Sequence, residues 1–116
     1  MLQNVTRCRL VDSLPLAFQL DAEKHAMNEF PKESCGLIVN DKYFACNNVS
    51  PNPERDFIIC PQDYMSAAMS GRIQAVVHSH PKGGPPSDFD TGACSATRLP
   101  WYVFSVPDKQ WLIIDP

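Results

Sequence analysis

Residues 73–106 read IQAVVHSHPKGGPPSDFDTGACSATRLPWYVFSV, and this stretch constrains the fold more than any other. Residues 73–78 form an apolar run of strand length, and KGGPP can only be a loop. Residues 87–98 read as a helix that ends before Leu99-Pro100, and WYVFSV reads as a further strand. A strand, a helix and a strand in succession need a sheet with helices laid on it.

The remaining segments suit that scheme. Leu14, Phe18, Ala22, Ala26 and Phe30 recur every four residues with polar residues between them, which predicts an amphipathic helix over 14–30, stopped by Pro31. SCGLIVN (34–40) and KYFACN (42–47) predict a hairpin about a tight Asn40-Asp41 turn. Residues 48–55 form a loop, and DFIIC (56–60) reads as a short strand. A helix over 61–70 follows, with Pro61 in its first turn and Gly71 beyond its end. WYVFSV and QWLII (110–114) close the chain as a hairpin around Pro107-Asp108-Lys109. The expected order is helix, strand, strand, strand, helix, strand, helix, strand, strand. The class is therefore α/β, a three-layer arrangement of a mixed sheet flanked by helices.

At 116 residues, with 44% hydrophobic and 20% charged residues, the chain fits one globular domain. No apolar run reaches the roughly 18 residues of a membrane span. The net charge of -3 and the scattered Lys and Arg residues offer no basic stripe, so nucleic acid is not an expected partner, and neither is a membrane. The opening MLQNVTRCRLVD lacks the pattern of a secretory signal, which sets a cytoplasmic expectation. Five cysteines, never spaced C-x-x-C, suggest neither a disulfide framework nor a zinc knuckle, and read mostly as small core residues. Asn4-Val5-Thr6 and Asn48-Val49-Ser50 match a glycosylation triplet that matters only in a secreted protein.

The chemistry lies in HSHPKGGPPSDFD. On a strand, residues two apart face the same side, so His78 and His80 project together while Ser79 points away. Two imidazoles need a third ligand to make a catalytic zinc site, and Asp90 at the start of the next helix can supply it. Asp88 is the weaker candidate. Bland readings compete: an H-x-H pair also occurs as two ordinary histidines, and Ser87-Asp88-Phe89-Asp90 resembles a capping box with Asp in place of Glu. Hydrolysis also needs a general base outside the ligand set. Glu33, between the first helix and a buried strand, fits that need, although an exposed helix-end carboxylate would occupy the same position. His25 reads as a packing or surface histidine. Trp101, Tyr102, Phe104 and Trp111 read as core of the closing hairpin.

HSHPKGGPPSDFD resembles the H-x-H-P-x(n)-S-x-x-D signature of the JAB1/MPN/MOV34 (JAMM) metalloenzymes, and AEKHAMNEFPKESCGLIV resembles their upstream segment, in which a glutamate precedes a Cys-Gly-Leu strand. TRLPWYVFSV is similar to the prokaryotic and phage branch, and in particular to the amino-terminal peptidase domain of lambda-type phage tail assembly proteins. The resemblance implies a JAB/MPN, cytidine-deaminase-like fold, with residues 1–116 as a single metallopeptidase domain of a kind also found joined to a second, cell-wall peptidase domain. It implies one zinc ion held by His78, His80 and Asp90, with Glu33 as general base and Ser87 helping to hold the oxyanion. The implied reaction is hydrolysis of a peptide or isopeptide bond by metal-activated water, with a phage tail protein or a ubiquitin-like sulfur carrier as substrate. A silent structural assembly module is the rival from another class. A zinc deaminase would carry H-x-E and P-C-x-x-C, and neither is present.

Overall fold

A computed structural model describes residues 7–11 and 14–116. The elements run β1 (Arg7–Val11), α1 (Leu16–Glu29), β2 (Cys35–Val39), β3 (Lys42–Cys46), α2 (Pro61–Ser70), β4 (Ile73–His80), α3 (Asp88–Thr97), β5 (Trp101–Ser105) and β6 (Gln110–Asp115). The six strands form one mixed sheet in the order β1-β6-β5-β4-β2-β3. Only the β4/β5 pair, joined through α3, is parallel.

Strand alternation divides the core into two layers. Cys35, Leu37, Val39, Val76, Val103 and Ile114 pack on one face with Ala67 of α2 and Cys94 of α3. Ile38, Ala75, Val77, Phe104 and Trp111 pack on the other with Leu14 and with Phe18, Ala22 and Ala26 of α1. Every residue of β2 is buried because helices cover both of its faces. The arrangement is the expected three-layer α/β sandwich.

Local chemistry explains several element ends. Asn40 and Asp41 take φ of 52° and 62°, a left-handed turn that Asn and Asp tolerate well. Pro61 opens α2, where its missing N–H costs nothing. Ser87 caps α3, and Arg98 ends it in the left-handed region, with its N–H donating to the Cys94 and Ser95 carbonyls. A Cβ on Gly71 would meet the end of the exposed Asn40 side chain at 2.8 Å, so that side chain would have to shift.

The structure departs from the sequence-based expectation in three places. RCRLV forms an edge strand, β1, that the hydrophobic pattern did not announce. DFIIC joins no sheet and makes only the isolated bridge Asn48↔Ile59, because its backbone is held by the side chain of Asn48. Phe30 is exposed while the rest of its series is buried. A repeat of four residues drifts about 40° per step on a helix of about 3.6 residues per turn, and α1 has ended by Phe30. The triplet Asn4-Val5-Thr6 lies outside the described residues.

A candidate metal centre

β4 carries both histidines at its C-terminal end, beside the start of α3, which is where open α/β sheets commonly bind ligands. His78 is fully buried and His80 nearly so. Both point to the α2/α3 side, as Val76 does, whereas Ser79 faces back toward the segment before β2. Phe57 stacks on the His78 ring at 4.6 Å between centroids, and Trp101 meets it edge-on at 5.5 Å. Trp101 therefore belongs to the core, as expected, and also fixes a ring of the site.

α3 brings Asp90 to the pair. His78 Nε2 lies 3.2 Å from Asp90 Oδ1, and His80 Nε2 lies 3.1 Å from Asp90 Oδ2. The two Nε2 atoms are 3.2 Å apart. Asp90 is buried at the third position of its helix, and it completes a capping box: Ser87 Oγ accepts the Asp90 N–H at 3.1 Å, and Asp90 Oδ2 accepts the Ser87 N–H at 2.9 Å. The capping box is therefore compatible with a place for Asp90 in the cluster, since the cap aims the carboxylate at the histidines. Asp88 lies in the same first turn but is exposed and outside the cluster.

The donor set suits a cation. Among the described residues His78, His80 and Asp90 form a group able to hold a metal ion. Their separations of 3.1–3.2 Å approach the edge, about 3.3 Å, of a tetrahedron with ligands about 2.0–2.1 Å from its centre. Tautomers point the same way. His80 Nδ1 faces the Gly84 carbonyl at 3.4 Å and must donate to it, so in a neutral ring the Nε2 lone pair is aimed at the Asp90 carboxylate. That opposition is stable only with a proton or a cation between the atoms. Among the described residues His78 Nδ1 is buried without a partner, leaving its Nε2 as the atom turned to the cluster.

Protonation follows the same attraction. Burial lowers the readiness of His78 to protonate. Burial acts on His80 in the same sense, but the Asp90 carboxylate outweighs it and raises the His80 pKa. Burial alone would raise Asp90, yet hydrogen bonds from His78 and His80 hold it well below the usual carboxylate range.

Glu33 is buried, not exposed at a helix end, and it lines the same cleft as His80, Ser87 and Asp90, with a volume of about 660 Å³. Desolvation pushes its carboxyl up to about 8; His80 opposes that rise, while Asp90 and Asp56 add to it. Its backbone is pegged on both sides. The Glu33 N–H donates to the Pro53 carbonyl at 2.7 Å, and Asn48 Nδ2 donates to the Glu33 carbonyl at 3.0 Å.

Asn48, which the sequence marked only as the start of a glycosylation triplet, has a structural part here. Its Nδ2 also donates to the Asp56 carbonyl, and its Oδ1 accepts the Ser50 and Ile58 amides, so one side chain shapes the loop that walls the cleft. The Ser50 contact is an Asx turn, the local signal that Asn-x-Ser carried. Nothing in the sequence singled out Phe57. His25 is structural, its Nδ1 lying 2.6 Å from the Tyr43 hydroxyl. Cys35, Cys46 and Cys94 are buried free thiols, with burial raising the pKa of each.

A three-layer α/β sheet with a His-His-Asp group where β4 meets a capped α3 defines a class, and the comparisons with known proteins identify it. The family described as prokaryotic homologs of the JAB domain, Prok-JAB, matches residues 19–114, and the chain belongs to that family. The tail tip assembly protein K of Escherichia phage N15 is 39% identical over 97 residues, which cover 79% of this chain and 40% of that protein. The chain thus spans about two fifths of the length of that relative. The solution structure of protein DSY2949 from Desulfitobacterium hafniense superposes with a TM-score of 0.64 over 78% of this chain and 73% of that one. At 24% sequence identity that likeness concerns the fold.

Proposed function

We propose that residues 1–116 form a single zinc metallopeptidase domain that cleaves a peptide or isopeptide bond in a phage tail protein during assembly, in the cytoplasm of the host cell. The observation that carries this reading is the meeting of a ready-made three-ligand group with a buried, pegged glutamate in one cleft. His78, His80 and Asp90 would hold the ion. Zinc at such a site supplies Lewis acidity, acidifying water at its open position and polarising a carbonyl.

The chain's own residues account for the remaining needs of hydrolysis. Glu33, whose carboxyl lines the same cleft as His80 and Asp90, takes a proton from the attacking water and returns it to the leaving amine. Ser87 Oγ uses a lone pair to accept the Asp90 N–H, which leaves its own O–H free to donate to a developing oxyanion in the cleft. The name of the phage N15 relative supports a tail protein as substrate; a ubiquitin-like sulfur carrier is the alternative substrate.

The test combines zinc analysis of the purified chain with incubation of the wild type and Glu33→Gln against tail proteins of an N15-type phage and against a ubiquitin-like sulfur carrier, read by mass spectrometry. One zinc per chain and cleavage by the wild type alone are expected. Absence of stoichiometric zinc, or cleavage by neither protein despite bound zinc, would leave a non-catalytic assembly module as the better account. Equal cleavage by both would remove Glu33 from its role.

A further inference from the structure

We infer that Ser79, the residue between the two histidines, is a positioning residue for Glu33, and this inference rests on the hydrolytic reading above. Ser79 is fully buried, on the face of β4 opposite the ligands. The β2/β4 register pairs Cys35 with His78 and so places Ser34 opposite Ser79. In a regular antiparallel pair of this kind each residue would donate its N–H to the other's carbonyl. Only half of that exchange is present. The Ser79 N–H donates to the Ser34 carbonyl at 3.1 Å, but the Ser34 N–H donates to Ser79 Oγ, at 2.8 Å, in place of the Ser79 carbonyl.

The hydroxyl therefore stops the ladder one residue before Glu33. Reaching for Oγ turns the Glu33-Ser34 peptide off the strand path, and the Pro53 carbonyl and the Asn48 amide then hold Glu33 from the loop side. Three contacts fix the backbone that carries the carboxylate, and only that of Ser79 originates on the strand bearing His78 and His80. Ser79 thus couples the position of the base to the position of the ligands. Without the hydroxyl, the Ser34 N–H is left unpaired in a buried site or closes on the Ser79 carbonyl, drawing Glu33 back toward the sheet.

The experiment compares the wild type with Ser79→Ala, Ser79→Thr and Ser79→Cys. Ser79→Thr keeps the acceptor oxygen, and Ser79→Cys keeps the size of the side chain should Ser79→Ala fail to fold. In metal-free protein, NMR should show the Ser34 amide exchanging roughly 10- to 100-fold faster in the Ala and Cys variants and close to the wild-type rate in the Thr variant. In cobalt-loaded protein, the pseudocontact shifts of the Glu33 side chain should move in the first two and stay in the third. Cobalt affinity should remain within about threefold of wild type in all, below the roughly tenfold minimum typical of losing an outer-shell partner of a ligand.

On a substrate that the wild type cleaves, kcat should fall about 100-fold in Ser79→Ala with KM little changed, and Ser79→Thr should restore most of it. An unchanged Ser34 exchange rate in Ser79→Ala would overturn the inference, as would unmoved Glu33 shifts or a loss of metal affinity parallel to the loss of rate. A wild type that binds no cobalt or cleaves nothing would overturn the hydrolytic reading instead, with the Ser34 amide still deciding whether Ser79 holds this peptide.

Discussion

His80 Nδ1 faces the carbonyl oxygen of Gly84 at 3.4 Å, so the loop that follows His80 leaves its Nε2 as the nitrogen turned to Asp90. Gly84 has φ of +89°, a conformation that L side chains rarely adopt, although among the described residues nothing lies within 4 Å of where its Cβ would stand. Gly84→Ala therefore strains the backbone without a clash. The expected result is a fall of roughly 10- to 100-fold in zinc affinity, measured by chelator competition at fixed pH. Wild-type affinity in this variant would show that the carbonyl does not govern the ligand.

Ser87 caps α3, and its proposed role at the oxyanion is separable from that cap. Ser87→Ala removes the helix cap, at a cost of about 1 kcal/mol, whereas glycine at the same position costs only a few tenths. Both variants lack the hydroxyl. If Ser87 stabilises the oxyanion, each should lose roughly 10²- to 10³-fold in kcat. Thermal melts of the two should differ while their rates agree; rates that track the melts would reduce Ser87 to a cap.

The metal-free protein should lose stability as pH rises through the Glu33 range. Its carboxyl titrates at about 8 in the folded chain against an ordinary 4.5, so the folded state binds the proton more tightly than the unfolded state does. The contribution is complete below pH ~4.5 and disappears progressively up to pH ~8. It is on the order of 3 to 5 kcal/mol at most. Chelator-treated Glu33→Gln should therefore gain on the wild type between pH 5 and pH 9 in urea titrations. Parallel pH profiles for the two proteins would refute this.

Gly36 is required by its neighbour. A Cβ on Gly36 would run into the Tyr43 ring, which lies across the strand, with its hydroxyl against His25. Gly36→Ala should cost about 1–3 kcal/mol through overpacking, and Tyr43→Leu should relieve much of that in the double variant. Additive losses in a double-mutant cycle of denaturant melts would contradict the contact.

Much of the site was legible because it is local. The H-x-H spacing on a strand puts His78 and His80 on one side whatever surrounds them, and SDFD caps a helix by its own geometry. The expected hairpin at Asn40-Asp41 and the helix over 61–70 rest on equally local chemistry. β1 was not legible, because a short edge strand carrying Arg7 and Arg9 has its identity from its partner β6 and not from its own pattern. DFIIC misled for the complementary reason: its residues favour strands, but its backbone is engaged by Asn48.

The sequence by itself determined the run of elements from the first helix to the closing hairpin, apart from DFIIC, and the pairing of His78 with His80, since these follow from periodicities of two and near four within single segments. Only the tertiary structure decided the rest. Position alone allowed an exposed helix-end glutamate at residue 33; the fold buries it and pegs it through Pro53, Asn48 and Ser79, all of them distant along the chain. Likewise the distance from Asp90 to each histidine depends on how α3 lies against β4. Burial and convergence are properties of distant segments meeting, and no local pattern encodes which polar groups will face each other once they do.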